Sequence, residues 1–285
     1  MNLHRSSRRP RKVRPFSLAH IHVPENVTRG ALFIDYDGTL APIAKRPEQA
    51  RIPARVLRAL VRAAALPGWT VSIVSGRRLA DVRRRVGLPR LIYAGNHGFE
   101  ISFPDQPDFV HPSAKAARPL IREILRKLSA ETAKLPGVLV EDKTYTLSLH
   151  TRLASVGDER RAHLALMHAA RAAVERRDVV IRRGKKVLEV RPAAEWDKGH
   201  AVETILESLR GPVLPVYFGD DNTDEDAFRA LRRGGVTIRV GKGETNAHFF
   251  IPSVSDLPAA LTSVTSLFPE RRRKAAGRGA TSASA

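Results

Sequence analysis

Ala31-Leu32-Phe33-Ile34-Asp35-Tyr36-Asp37-Gly38-Thr39-Leu40 is the stretch that decides how the chain folds. A short apolar run that stops on an acidic turn reads as a buried strand delivering a carboxylate to its carboxyl end. Asp37 follows two residues after Asp35, and Gly38 permits the sharp turn that aims both groups at one point. The first carboxylate can act as a nucleophile if a cation masks its charge. The second can protonate a leaving oxygen and later deprotonate a water. An acidic pair after a strand can also be no more than a loop cap, so the chemistry requires partners elsewhere in the chain.

Outward from that strand, elements alternate. Ile52 to Leu66 has helical spacing and stops at Pro67-Gly68; Thr70 to Val74 is a strand ending at Ser75-Gly76-Arg77. Leu79 to Val86 is a short helix closed by Gly87, and Leu91 to Ala94 runs into Gly95-Asn96-His97-Gly98. This rhythm predicts a parallel sheet covered on both faces, with ligands beyond the carboxyl ends of the strands. It stops near Pro104, where residues 105–112 read as a polar linker. A helix after Pro119, strands within Val138 to Arg152, a helix over Asp158 to Arg176 and a hairpin around Gly184 follow, which is an α+β unit. After Pro192 the rhythm returns: a helix near Asp197, a strand Val213 to Phe218 entering Gly219-Asp220-Asp221, a helix from Asp224 and a strand Val236 to Val240. The expected organisation is an α/β core of residues 29–104 and 193–267, interrupted by a smaller cap over 105–192. Basic tails over 1–28 and 268–285 are expected to be disordered.

The bulk composition narrows the function. The formal charge of +20 concentrates at the ends: residues 1–15 carry six basic side chains and residues 271–285 carry five, neither with an acid, which leaves +9 between them. Solvated arms explain that distribution better than a nucleic-acid surface, so no specific nucleic acid is expected. No apolar run approaches the roughly eighteen residues of a membrane span. The Arg8-Arg9 pair lacks the apolar stretch of about 7–15 residues that an export signal needs. The absence of cysteine excludes disulfides and thiol catalysis and fits a reducing compartment. The expectation is a cytoplasmic monomer acting on a small molecule.

Three further polar clusters fall at predicted strand ends. Ser75 can hold a phosphoryl oxygen, and Lys198 can neutralise charge on a phosphate and on Asp35. Asp220, Asp221 and Asp224 supply hard oxygen ligands that suit magnesium, which keeps most of its hydration. Each fragment alone has a plain structural explanation, Ser75 and Asp197 as helix caps and Lys198 as a solvated charge. Four of them in one order at strand ends do not.

That order, Asp35-x-Asp37-Gly-Thr, Ser75, Lys198 and Gly219-Asp220-Asp221-x-x-Asp224, resembles the haloacid dehalogenase superfamily of phosphotransferases. The resemblance implies a three-layer Rossmann-like core and a phosphoaspartate on Asp35, with acid/base work by Asp37. It also implies a Mg2+ ion held by Asp35, the backbone carbonyl of Asp37 and Asp220, with Asp221 or Asp224 helping directly or through water. Longer segments are similar to the trehalose-6-phosphate phosphatase family: Asp35 to Ile43, Val74 to Arg77, Gly95 to Glu100 and Gly219 to Phe228. Cap segments Glu141-Asp-Lys143, His150-x-Arg152 and Lys185-x-x-x-Glu189 match as well. Membership would make this a magnesium-dependent phosphatase acting on trehalose 6-phosphate, the last step of trehalose biosynthesis. Glu141, Lys143, Arg152, Lys185 and Glu189 would then meet the sugar and Asn96 would bind substrate, with Arg77 and His97 orienting substrate or cap near the phosphate. Trp196 can stack on a sugar, but a core or interdomain contact is more common for a Trp. A phosphatase for sucrose phosphate or a glycosyl-phosphoglycerate shares the core, as does a phosphosugar mutase, which would release no inorganic phosphate.

Overall fold

A computed structural model describes residues 13–269. Strands β1 (Arg14–Pro15), β2 (Gly30–Ile34), β3 (Trp69–Val74), β4 (Ile92–Gly95), β5 (Glu100–Ser102) and β6 (Phe109–Val110) precede an insert. The insert holds β7 (Leu139–Asp142), β8 (Leu147–His150), β9 (Val179–Gly184) and β10 (Val187–Pro192). After it come β11 (Leu214–Gly219), β12 (Val236–Val240) and β13 (Phe249–Ile251). The helices are α1 (Ala54–Ala65), α2 (Leu79–Val86), α3 (Pro112–Thr132), α4 (Val156–Glu175), α5 (Lys198–Ser208), α6 (Asp224–Ala230) and α7 (Leu257–Thr265).

The large sheet runs β1-β13-β12-β11-β2-β3-β4-β5-β6, parallel from β1 to β4 and antiparallel at β4-β5-β6. Side chains of β2 alternate between its two faces, as a strand requires. Leu32 and Ile34 join Val56 and Leu60 of α1, Val82 of α2 and Leu261 of α7 in one core. Ala31 and Phe33 join Val202 and Ile205 of α5 and Phe228 of α6 in the other. The result is the expected three-layer α/β core.

Topology positions the site. The chain builds outward from β2 through β3 to β4, then returns after the insert to pair β11 on the other side of β2. Strand order therefore reverses between β2 and β11, and the crevice beyond their carboxyl ends is where such sheets bind ligands. Asp35 and Asp220 sit there, one residue past β2 and one past β11.

The insert is a four-stranded antiparallel sheet, β7-β8-β10-β9, covered by α3 and α4. It starts later than residue 105, because β6 pairs with β5 and belongs to the core sheet. The first insert helix also starts before Pro119, at Pro112, where a missing N–H is harmless. Pro119 lies inside α3 on its exposed side, where the carbonyl deprived of a partner can face water. Residues 13–28, expected to belong to a disordered tail, are ordered. Arg14–Pro15 pair with β13, and Phe16 packs edge-on against Phe249 at 5.9 Å between centroids. Phe268 packs on Trp69 at the other end, its ring tilted by 53° at 5.5 Å between centroids. The remainder of the two expected tails, 1–12 and 270–285, lies outside the described residues.

Candidate active site

Asp35 is 4% exposed and is the focus of a buried charge network. Its Oδ1 accepts from Lys198 Nζ at 2.7 Å, and the same ammonium donates to Asp224 Oδ1 at 2.8 Å. Lys198 is delivered by helix initiation: Asp197 caps α5 by accepting from Gly199 and His200 N–H, which places Lys198 in the first turn. Burial alone would lower the Lys198 pKa, but Asp224 and Asp35 more than offset it and raise it well above the ordinary range. It is a fixed cation.

Asp224 is saturated. Its Oδ1 also accepts from Tyr217 hydroxyl at 2.7 Å, and Oδ2 accepts the backbone N–H of Asp220 and Asp221 at 3.0 Å each. A carboxylate offers about four acceptor positions, and here all are taken. Asp35, Asp220 and Asp224 bring one carboxylate oxygen apiece within 4.8 Å of one another. By the bond count, Asp224 organises that cluster, while Asp35 and Asp220 keep oxygens free to bind an ion. Asp221 Oδ1 accepts from both the N–H and the hydroxyl of Thr223 at 2.7 Å.

The turn after Asp35 closes the cluster. Gly38 has φ +90°, and a Cβ there would lie 2.0 Å from Asp220 Oδ2. Thr39 Oγ1 faces Asp220 Oδ1 at 3.5 Å. Burial together with Asp224 and Asp221 pushes Asp220 up to about 8. Burial also raises Asp35 well above its ordinary value, Lys198 countering only part of the effect and Asp224 and Asp220 adding to it. Crowded carboxylates served by one ammonium, with oxygen donors free, fit a hard divalent cation.

Asp37 stands differently. Arg77 grips it with a two-pronged contact, Nε to Oδ2 and Nη2 to Oδ1, both 2.7 Å. The guanidinium is buried over the Tyr36 ring and also donates to Asp81 at 2.9 Å and the Pro47 carbonyl at 2.8 Å. Ser75 Oγ accepts from Arg77 N–H at 3.1 Å, leaving its own proton to donate.

Above these groups lies a cleft of about 1280 Å³ between core and cap. Asp35, Asp37, Arg77, His97, Lys198 and Asp220 border it from the core, and Glu141, Lys143, Arg152, Lys185 and Glu189 from the cap. Glu189 is buried and accepts from Lys143 at 3.0 Å and from Arg191 Nε at 2.6 Å. Burial would raise its pKa, but the cations of Lys143 and Arg191 prevail and hold it well below the carboxylate range. His97 Nε2 lies 2.7 Å from Arg191 Nη2 and 3.1 Å from Glu189. Burial and Arg191 lower His97 to about 4, so the ring is neutral. Accepting from Arg191 places its proton on Nδ1, which is buried without a partner among the described residues. Glu141 accepts from His150 at 2.8 Å if that ring nitrogen carries the proton.

Two residues expected to touch substrate are placed otherwise. Asn96 is fully buried and its amide is spent: Nδ2 donates to Glu100 and, at 2.8 Å, to the Lys143 carbonyl, while Oδ1 accepts from Thr146 at 2.7 Å. It ties cap to core, leaving nothing for a ligand. Arg152 donates to the Ala44 carbonyl of the core at 2.9 Å, although it still borders the cleft. Trp196 packs with His111 at 4.4 Å and with Phe99, Phe109 and His200, a contact on the core side at the foot of the insert, and it also borders the cleft. Tyr217 and Arg191 carry site interactions that sequence reasoning did not assign. Tyr217 is hidden in an apolar strand, and Arg191 lies two residues beyond the last cap segment, at Glu189, with no signal of its own.

The three-layer core with its inserted cap has the haloacid dehalogenase-like fold. A haloacid dehalogenase-like hydrolase from Bacteroides thetaiotaomicron shares the fold at a TM-score of 0.58 and 13% identity, over 83% of this chain and 99% of that one. The family model for trehalose-phosphatase matches residues 33–255, and the chain belongs to that family. A trehalose-phosphate phosphatase from Mycobacterium avium is 39% identical over 260 residues, 87% of this chain and 64% of that protein. A solved trehalose-6-phosphate phosphatase related protein superposes with a TM-score of 0.72 at 25% identity, over 84% of this chain and 98% of that one. The chain spans 59–64% of the length of the first curated relatives it matches.

Proposed function

We propose that the chain hydrolyses trehalose 6-phosphate to trehalose and inorganic phosphate, with Mg2+ as the metal. The observation that carries this reading is a strand-end carboxylate with one oxygen fixed by a buried lysine, on the floor of a cleft roofed by a polar cap. Lys198 fixes the Asp35 carboxylate through a single bond to Oδ1, which leaves one oxygen to attack phosphorus and a lone pair on the other for the ion. The phosphorus–oxygen bond to the sugar breaks as Asp37 delivers a proton to the departing hydroxyl oxygen. That delivery requires Asp37 to turn from Arg77 toward the cleft. Asp37 then takes a proton from water, which attacks phosphorus, breaks the bond to Asp35 and frees phosphate. Ser75 donates to a phosphoryl oxygen, and Lys198 keeps positive charge beside the transferring group. Mg2+ bound by Asp35, Asp220 and the Asp37 carbonyl would supply further neutralisation of that charge. Glu141, Lys143 and Glu189 present acceptors and donors suited to vicinal hydroxyls.

The test is phosphate release from a panel of sugar phosphates, with and without Mg2+. Trehalose 6-phosphate should be preferred, and Asp35→Asn should abolish release while leaving the fold intact. Preference for sucrose phosphate, or isomerised substrate without phosphate release, would overturn the substrate or the reaction respectively.

A further inference from the structure

The mouth of the cleft carries cations that no part of the proposed chemistry uses. Lys45 and Arg46 stand on the core loop after Asp35; Arg152, Arg182, Arg183 and Lys185 stand on the cap. All six are exposed and border the same cleft. None has a carboxylate within 4.0 Å among the described residues. Their neighbours contrast with them: Lys186 pairs with Glu159, Arg191 with Glu189 and Arg239 with Glu225. Glu48 and Glu195 also border the cleft, and neither reaches the six.

Unpaired like charges on two facing walls repel one another, and walls of low polarisability concentrate their field in the gap between them. At the floor the side chains are acidic instead: Asp35, Asp220 and Asp221. A neutral disaccharide gains nothing from such a rim; a phosphate monoester dianion does. We infer that this rim is an electrostatic capture surface, drawing a phosphate dianion into the cleft ahead of any contact with Asp35 or with the sugar-binding residues. The inference rests on the phosphatase reading and adds to it a mode of association.

A capture surface raises kcat/KM and leaves kcat alone, because its attraction acts before the substrate is seated. Steering of this kind is worth about 10- to 10³-fold and fades with salt. The test uses the fourfold variant Lys45→Gln, Arg46→Gln, Arg182→Gln, Arg183→Gln, which spares Arg152 and Lys185 because both were expected on the sugar. A control variant, Arg58→Gln, Arg62→Gln, Arg122→Gln, Arg126→Gln, removes the same net charge from exposed helix positions that do not border the cleft. At saturating Mg2+, the parent chain should lose kcat/KM steeply as ionic strength rises. The rim variant should start about tenfold lower at low salt and respond little to salt, with kcat unchanged and thermal unfolding like the parent's. The control should follow the parent, and inhibition by uncharged trehalose should be salt-independent in all three. A rim variant with the parent's salt slope, or with kcat reduced as much as kcat/KM, overturns the inference while hydrolysis by the parent stands. Absence of hydrolysis by the parent would instead overturn the phosphatase reading.

Discussion

Adding one methyl group at Gly38 tests whether the Asp35 turn and the β11 acidic patch form one site. A Cβ at this position would meet Asp220 Oδ2 at 2.0 Å, Cγ at 2.2 Å and Oδ1 at 2.4 Å. Ordinary non-bonded separation is near 3.5 Å, so the Asp220 carboxyl must retreat by about 1.3–1.5 Å or the turn must deform. The backbone adds its own penalty. At φ +90° a side chain costs about 1–2 kcal/mol that glycine does not pay, and overpacking adds about 1–3 kcal/mol. Gly38→Ala should therefore lose about 2–5 kcal/mol in urea denaturation, within reach of a domain whose total stability is about 5–15 kcal/mol. A ligand displaced by more than an ångström should also cost about 100-fold in turnover. Mg2+ affinity, read by calorimetry on the folded variant, should fall roughly 10- to 100-fold. Unchanged stability would refute the close approach of turn and carboxylate. Lost stability with undiminished Mg2+ affinity would remove Asp220 from the metal site.

Two other perturbations separate structure from chemistry. Lys198→Met should destabilise by about 3–5 kcal/mol in denaturant titration, because it strands the buried carboxylates of Asp35 and Asp224; a loss under 1 kcal/mol would show that water or another cation takes its place. His97 gives a pH dependence with a definite sign. It is faced by Glu189 and Arg191 from β10, with Lys143 and Lys198 nearby, and its pKa is lowered from 6.5 to about 4. Between those values the unfolded chain binds the extra proton, so stability is complete above about pH 6.5 and falls on acidification toward pH 4. The total loss is roughly 3 kcal/mol at 1.4 kcal/mol per unit. Melting temperature against pH should flatten in that window in His97→Gln, and an unaltered profile would exclude His97 as its source.

Much of this architecture was legible in the sequence because its strands are short apolar runs broken by polar turns. Leu79 to Val86 and Val236 to Val240 are located as their composition requires, and Asp35, Ser75, Lys198 and Asp220 fall at the strand ends or helix start that sequence placed them on. The less legible elements are those whose form depends on partners. Arg14–Pro15 and Phe109–Val110 are two residues each, too short for any periodicity, and exist because a neighbouring strand offers an edge. Pro119 reads as a helix start, yet its helix is already running, since only an exposed carbonyl loses its bond. Asn96 has donors and an acceptor that suit a sugar; only coordinates reveal that Glu100, Lys143 and Thr146 consume them. Likewise nothing in the alternation of β11 marks Tyr217 as the fourth donor to Asp224.

The rings of His111 and Trp196, one just before the insert and the other just after it, touch at 4.4 Å. An insertion whose two ends meet strains neither the sheet it leaves nor the sheet it rejoins. A bridge of a few residues could close the gap, and any other lobe with adjacent termini could be spliced in its place. Floor and roof are thus separable by chain path: the cluster of Asp35, Asp220 and Asp224 belongs wholly to the core, while Glu141, Lys143 and Glu189 all arrive on the one inserted segment.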